Sequence, residues 1–509
     1  LLVVRQPQDG AELVDDLIHP VETREIVGDR PIHVDDVPNE RRHPQLARDE
    51  LRVVALQHRL ARDPPGRRLV DHDGSRGDAR CDAELLEHAR GEGVVRAHLG
   101  QIEAVGEALA EFLRAQGLGL AEQPALGELA KPRREGSEAA HDAIAEFARG
   151  HVLTGFPWAL PGHIWLASPV EQAAALFGAY GLTLGTLLVA AALAARRGPG
   201  IVLAAAAVAA GWGYGLWVLR QPEPPAPGVL LRLVQPNAAQ AMKWDAGLAQ
   251  EHLDRLLAFT VAEPSPDLVI WPETSLPYLL DRHPELAGVI AGAGNGAPVA
   301  LGMQRVEGER AWNSLAVIRP DGQIGPVYDK HHLVPFGEYI PFGDLAYRLF
   351  GLRAFASQAG AGYSAGVGAQ VLDLGGKLGK VLPLICYEAV FPQDVAAAPE
   401  RADWIVQITN DAWFGTLSGP FQHAELARLR AIEQGLPLIR VANTGVTAVV
   451  DAHGRVVEEL PFGTMAAMDT QVPGALPPTP YARWGDGPLA LLLVGLAGIA
   501  FNRRRHAAH

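Results

Sequence analysis

The stretch KVLPLICYEAVF, residues 380–391, decides the reading of the fold. Its first half is an apolar run of strand length, and it delivers Cys386, Tyr387 and Glu388 where that run ends. The 509-residue chain has one other cysteine, Cys81, in a segment of different character, and no CxxC or Cys/His spacing of a structural zinc site. Cys386 therefore reads as a free thiol at a strand end, where α/β folds gather their functional groups. Pro383 removes a ladder donor inside the run, which predicts an edge position or a bulge beside the site.

Similar strand-like runs lie on either side: VLLRLVQ (229–235), DLVIW (267–271), APVALGM (297–303), SLAVIRP (314–320), DWIVQIT (403–409), LPLIRVA (436–442) and TAVVD (447–451). Helical stretches separate some of them, so the region from 221 to 483 reads as one α/β domain. One helix is well delimited: QHAELARLRAIEQGLP (422–437) repeats apolar residues at Leu426, Leu429 and Ile432, with Gly435 suited to the position after the helix and Pro437 beyond it.

Outside that domain the apolar residues collect in blocks, so the mean hydropathy of +0.06 conceals a membrane protein's profile. Residues 172–195 carry no charge, and at about 1.5 Å per residue they cross a hydrocarbon core of about 30 Å. Arg196 and Arg197 end this block, and a second follows at 200–219 with tryptophans near its far end. RQPEPPAPG (220–228) then stops helix and starts a linker. A third apolar run, 488–502, is followed at once by three arginines and reads as a C-terminal anchor within 484–509. The positive-inside rule puts both arginine clusters in the cytoplasm and the 221–483 domain on the other face.

The resulting organisation is a polar segment (1–140), a membrane region with two transmembrane helices (141–220), the α/β domain (221–483), and a transmembrane helix with a basic tail (484–509). The polar segment has no membrane-length run, and no methionine precedes Met242. It reads as sequence of separate origin, unrelated or out of frame, joined upstream of the rest. A net charge of −14 without a sustained Lys/Arg patch argues against a nucleic-acid partner.

Three strand ends or loops offer complementary chemistry. Glu273 follows DLVIW, Lys330 and Glu338 lie in YDKHHLVPFGEYIPF (328–342), and Cys386 closes its own strand. A thiol with a pKa of about 8.5 needs a base or a nearby cation to react at neutral pH. Glu273 is suited to carry the proton, and Lys330 to favour the thiolate and to donate to an oxyanion, with the Tyr387 N–H as second donor. The pair His331 and His332 beside Asp329 has no third ligand at metal spacing.

The order Glu, Lys, Cys in WPE (271–273), DKHHLVPFGE (329–338) and ICYE (385–388) resembles the nitrilase, or carbon–nitrogen hydrolase, superfamily. Within it, VLTGFPW (152–158), KWD (243–245), HLVPFGEYIP (332–341), NDAWFG (410–415), GPFQH (419–423) and TPYAR (479–483) resemble the apolipoprotein N-acyltransferases, from about residue 146 to the C-terminus. The resemblance implies a nitrilase-like αββα sandwich carried on transmembrane helices of the bacterial cytoplasmic (inner) membrane, multi-pass, with the catalytic domain on the periplasmic side. It implies a Glu273–Lys330–Cys386 triad, no metal and no cofactor. Cys386 would take an acyl chain from a phospholipid as a thioester and pass it to the α-amine of a diacylglyceryl apolipoprotein. Glu338 would orient Lys330 or the thiol, and Tyr387 and Glu388 would shape the pocket. Trp244, Asn313, Trp413 and Phe414 would sit near the acyl or head-group site. The residues alone leave two other readings open: a membrane-tethered nitrilase-type amidase whose thioester is resolved by water, or an inactive, truncated family member without its helical platform.

Overall fold

Two six-stranded sheets face each other across an apolar core in the computed structural model, which describes residues 135–238, 247–339 and 362–507. The first sheet contains β1 (Leu230–Gln235), β2 (Leu268–Ile270), β3 (Val299–Glu307), β4 (Arg310–Ile318) and β5 (Ile324–Asp329), with β12 (Ala466–Gln471) added beside β1. The second runs β11 (Val456–Leu460), β10 (Thr447–Val450), β9 (Leu438–Ala442), β8 (Trp404–Thr409), β7 (Lys380–Ile385), β6 (Leu372–Asp373). In each sheet three neighbouring strands are parallel, β1–β2–β3 and β7–β8–β9, and antiparallel strands extend both sides. The parallel strands are buried on both faces, and their sequences are near-continuous apolar runs for that reason.

The inner faces meet through residues such as Leu231, Leu233, Ile270, Val381, Trp404 and Ile439. Outside the first sheet, Leu253 and Leu256 of α4 (Ala249–Val261) and Ile290 of α5 (Glu285–Gly294) pack on Val269 and Trp271. Outside the second, Ala427 and Ala431 of α7 (Gly419–Gln434) pack on Leu382 and Ile405. The four layers are thus helix, sheet, sheet, helix, as the sequence leads one to expect. Gly435 ends α7 in the left-handed conformation, φ 63°. Pro383 also finds a position suited to it: β6 pairs with β7 only as far as Val381, so on that side Pro383 faces no strand among the described residues.

The membrane region begins with α1 (Glu135–His151), which crosses the boundary expected at residue 140. Residues 1–134 lie outside the described residues. Pro169–Ala194 and Gly198–Leu219 are long and apolar enough to cross a membrane. In Gly198–Leu219, which is α3, only 11% of the most apolar window is buried. Large side chains including Val202, Leu203 and Trp217 therefore face outward, unlike those of a core helix. The C-terminal helix α9 (Gly487–Ala507) has a shorter apolar stretch, Gly487–Ile499, and runs on into Arg503, Arg504 and Arg505.

The first span departs from the continuous helix its composition predicts. A 3₁₀ turn, Pro169–Ala173, leads into α2 (Ala174–Ala194), which kinks at Gly178 with φ 68° and ψ −179°. That conformation belongs almost only to glycine. The kink frees the Ala179 N–H, and the Glu433 carboxylate of α7 accepts it at 2.9 Å. Beside it, Arg428 of α7 forms an ion pair with Glu171, and Leu429 and Ile432 pack on Ala179 and Leu182. Burial on two sides explains why α7 hides both charged and apolar residues. α8 (Pro480–Trp484), capped by the Thr479 hydroxyl at 2.9 Å, lays Tyr481 over the kink, so a Cβ on Gly178 would sit 2.2 Å from the Tyr481 ring.

Replacing Gly178 by alanine is expected to destabilise the detergent-solubilised protein by about 2 kcal/mol or more, from backbone strain and overpacking together. Gly185→Ala, whose Cβ meets nothing within 4 Å, should change stability by no more than about 0.5 kcal/mol. Equal unfolding midpoints for the two variants would contradict the role given to the kink.

Candidate active site

The turn that holds Cys386, the proposed nucleophile, comes first. β7 ends at Ile385, and Cys386 takes up a left-handed backbone, φ 51°, before a 3₁₀ turn over Cys386–Val390. A non-glycine residue holds such a conformation only where its surroundings enforce it. Glu388 enforces it from within the turn. Its carboxylate accepts the Ile385 N–H at 2.7 Å, the His331 N–H at 2.7 Å and the Tyr328 hydroxyl at 2.8 Å. From below, the Cys386 carbonyl accepts Gln407 Nε2 at 3.1 Å and His423 Nε2 at 3.0 Å. Glu388 thus ties the nucleophile turn to the end of β5 and lies beneath the cavity, not in its wall.

The charges come from the facing sheet. Lys330 follows β5 directly, and its Nζ lies 2.9 Å from Glu338 Oε2 and 3.6 Å from Glu273 Oε1 while the side chain is 1% exposed. The Asn313 side chain on β4 donates to both carboxylates, at 2.7 Å to Glu273 and 3.1 Å to Glu338. The Asn410 N–H, at the end of β8, holds the other Glu273 oxygen at 2.8 Å. The Glu273 turn rests on β3 at Gly302, where a Cβ would come within 2.4 Å of the Pro272 carbonyl. Side chains from the ends of β2, β5 and β7, from within β4 and from the loop after β5 are therefore fixed around one point.

Burial opposes the charge of Lys330, but Glu338 and then Glu273 outweigh it, and its pKa is raised, so the ammonium is permanent. Cys386 goes the other way from the sequence expectation. Burial pushes its thiol well above the ordinary range, Glu273 adds to the shift, and Lys330 only partly offsets them. The resting group is a thiol, so any attack by its sulfur requires the proton to leave.

Cys386, Lys330, Glu273, Glu338, Asn313 and Tyr387 all line a cavity of about 560 Å³. Its outer wall is aromatic: Phe156 and Trp158 from the segment joining α1 to the first span, and Trp413 and Phe414 from the turn after β8. Trp158 packs against Phe414, ring centroids 5.6 Å apart, and donates to Gln422 at 2.8 Å. Trp244 lies outside the described residues. His332 bridges Asp394 and the Thr154 carbonyl, at 2.6 and 2.8 Å, and so carries the TGFPW segment on the catalytic domain.

Sequence reasoning passed over Gln407, Asn410, Asp411 and Arg440, all buried around the nucleophile turn. A signal was present for two of them: Gln407 and Arg440 interrupt otherwise apolar strands, IVQIT and LIRVA. A buried polar residue needs a partner, and these find theirs at Cys386 and Asp411.

Glu388 and His331 make a testable pair. Burial would raise the Glu388 pKa, but His331 and the Ile385 N–H hold it low; burial would lower that of His331, but Glu388 holds it high. The depressed acid stabilises the fold fully above its unfolded pKa and loses that effect as pH falls through the folded one. The raised base does so fully below its unfolded pKa and loses it as pH rises. Glu388→Gln is expected to cost about 3 kcal/mol, with the largest difference from wild type between about pH 4.3 and about pH 6.5. Urea unfolding at a series of pH values measures this, and a pH-independent difference would contradict the pairing.

Two family models match the chain: Carbon-nitrogen hydrolase over residues 230–476 and Apolipoprotein N-acyltransferase N-terminal domain over residues 139–192. Among solved structures, a CN-hydrolase superfamily protein from Xanthomonas campestris is 21% identical, with a TM-score of 0.36, covering 48% of this chain and 90% of that one. An amidase from Nesterenkonia sp. is 19% identical, with a TM-score of 0.38, covering 53% and 98%. The apolipoprotein N-acyltransferase of Allorhizobium ampelinum is 40% identical over 362 residues, 66% of this chain and 68% of its own length. That of Bradyrhizobium diazoefficiens is 40% identical over 397 residues, 72% of this chain and 73% of its own. Identity sustained over that length, through both the membrane-side segment and the sandwich, places the chain in the apolipoprotein N-acyltransferase family.

Proposed function

We propose that the chain completes lipoprotein maturation as an apolipoprotein N-acyltransferase, moving an acyl chain from a phospholipid through a Cys386 thioester to the α-amine of a diacylglyceryl-cysteine. The observation that carries this reading is a single cavity that joins a buried thiol, a buried ammonium and two carboxylates to an aromatic wall supplied in part by the membrane-side segment. Catalytic polar groups at one end and apolar surface at the other match an ester joined to a long hydrocarbon.

In the first half-reaction Glu273 takes the thiol proton as Sγ attacks the ester carbonyl. Lys330 and the Tyr387 N–H stabilise the oxyanion. Collapse breaks the ester C–O bond, the departing oxygen takes the proton from Glu273, and lysophospholipid leaves a thioester behind. In the second half the amine attacks the thioester and gives its proton to Glu273. The Cys386 sulfur leaves, regains a proton from Glu273, and the product is an N-acylated lipoprotein. Glu338 and Asn313 keep Lys330 and Glu273 in register through both halves.

The outward apolar faces of the two spans support a membrane location, and their lengths fit a bilayer. Arg196 and Arg197 between the spans, and Arg503 to Arg505 at the end of α9, favour a cytoplasmic position for both turn and tail. On this reading α9 is a third span of a multi-pass inner-membrane protein, and the sandwich stands on the periplasmic side.

Purified protein given phospholipid and a diacylglyceryl peptide should yield the N-acyl peptide, read by mass spectrometry. Cys386→Ala should abolish the product, and Lys330→Ala or Glu273→Gln should lower the rate about a hundredfold or more. Hydrolysis of a small amide with no peptide acylation would contradict the acyltransferase reading. Near-normal rates in any of the three variants would contradict the role given to that residue.

A further inference from the structure

Around the Cys386 carbonyl lies a second set of charged and polar groups that the reaction steps above do not use. His423 is fully buried in α7, with Nε2 3.0 Å from the Cys386 carbonyl oxygen and Nδ1 2.9 Å from Asp411 Oδ1. Arg440 on β9 pairs with the other Asp411 oxygen at 2.7 Å, and the Thr409 hydroxyl donates to Oδ1 at 3.0 Å. Gln407 on β8 supplies the second donor to the Cys386 carbonyl at 3.1 Å. A ring nitrogen held 3.0 Å from a carbonyl oxygen acts there as a donor, as does one held 2.9 Å from a carboxylate oxygen.

His423 and Gln407 act on a peptide group, while the Thr409 hydroxyl and the Asp411 charge also reach the thiol. The Cys386 carbonyl and the Tyr387 N–H belong to one trans peptide plane and point in opposite directions. Anchoring the oxygen therefore aims the hydrogen. As an early residue of the 3₁₀ turn, Tyr387 has no acceptor within the turn for its N–H. The left-handed φ of Cys386 is what turns this peptide, and nothing in its local sequence favours that conformation. Burying an Arg, an Asp and a His together costs desolvation that apolar residues would avoid. Here the cluster converges on the carbonyl behind the nucleophile.

We propose that His423, held by Asp411 and Arg440 and assisted by Gln407, is a positioning residue that fixes the Cys386–Tyr387 peptide with its N–H aimed at the substrate oxyanion. The inference rests on the thioester chemistry assigned to Cys386. It separates oxyanion stabilisation from thiol activation, because His423 and Gln407 bond the Cys386 carbonyl while the thiol proton goes to Glu273. Reactions of Cys386 that form no oxyanion should therefore not need His423.

The test compares two reactions of Cys386 in the full-length protein. Acylation by phospholipid forms an oxyanion and is followed by intact mass. Alkylation by iodoacetamide forms none and is followed on the peptide containing Cys386. His423→Leu and Gln407→Leu are each expected to slow acylation about tenfold or more while alkylation stays within about twofold of wild type. His423→Gln, whose amide can donate to the same carbonyl, should recover most of the lost acylation. Either leucine variant suffices if the other fails to fold, as thermal unfolding reports. Wild-type acylation with unaffected leucine variants would overturn the inference alone, as would a parallel loss of alkylation or failure of His423→Gln to recover. Absence of acylation in the wild type would overturn the thioester reading and the inference with it.

Discussion

Lys330 is an ammonium sealed from water between two carboxylates, and the rest of the site is arranged around that fact. A buried charge persists only if its partners are held as firmly as it is. Glu338 and Glu273 flank Lys330, Asn313 bridges the two acids, and backbone N–H groups of Val334 and Asn410 take the remaining carboxylate oxygens. These groups come from both sheets, so the sandwich must be complete before the cluster exists. On the proposed mechanism such a site is pre-organised: the positive charge already stands where the oxyanion would form, and little rearrangement is needed during reaction.

The same sealing determines how the thiol behaves. Buried, and with Glu273 beside it, Cys386 is held as the neutral thiol despite the nearby ammonium. On the proposed mechanism, proton transfer to Glu273 is thereby tied to attack on a substrate, which spares the protein a standing thiolate open to oxidation. The membrane-side segment completes the enclosure. Helix α7 is packed by the second sheet on one side and by the kinked first span on the other, and its N-terminal end carries Gln422 and His423 to the aromatic wall and the nucleophile turn. The span, α7 and the cavity thus form one mechanical unit. The Gly178 kink is the point at which the span is fitted to α7.

The legible and illegible parts of this structure divide along physical lines. Every strand read from the sequence in the catalytic domain is present, and these include the central parallel strands, whose two buried faces demand unbroken apolar runs. The strands that escaped notice are β5, β6, β11 and β12, which are the four sheet edges. β11 carries VVEEL almost wholly exposed, β5 contains Pro326, β6 is two residues long, and β12 reads AAMDTQ. Edges are kept polar, short or proline-marked so that they do not recruit other strands, and this removes the apolar pattern. The groups proposed to react could be singled out because they stand at strand ends in characteristic motifs. Their supports were less so: the pairing of Gln407 and His423 with the Cys386 carbonyl joins residues far apart in sequence, and only the folded chain brings them together.

The central claim, that Cys386 forms a covalent acyl-enzyme that waits for its acceptor, is tested most directly by withholding the acceptor. Protein incubated with phospholipid alone should release one lysophospholipid per active chain in a burst and then stop, while Cys386 gains the mass of one acyl group. Continued release of lysophospholipid and free fatty acid without an acceptor, or a burst with no acyl group on Cys386, would contradict the account.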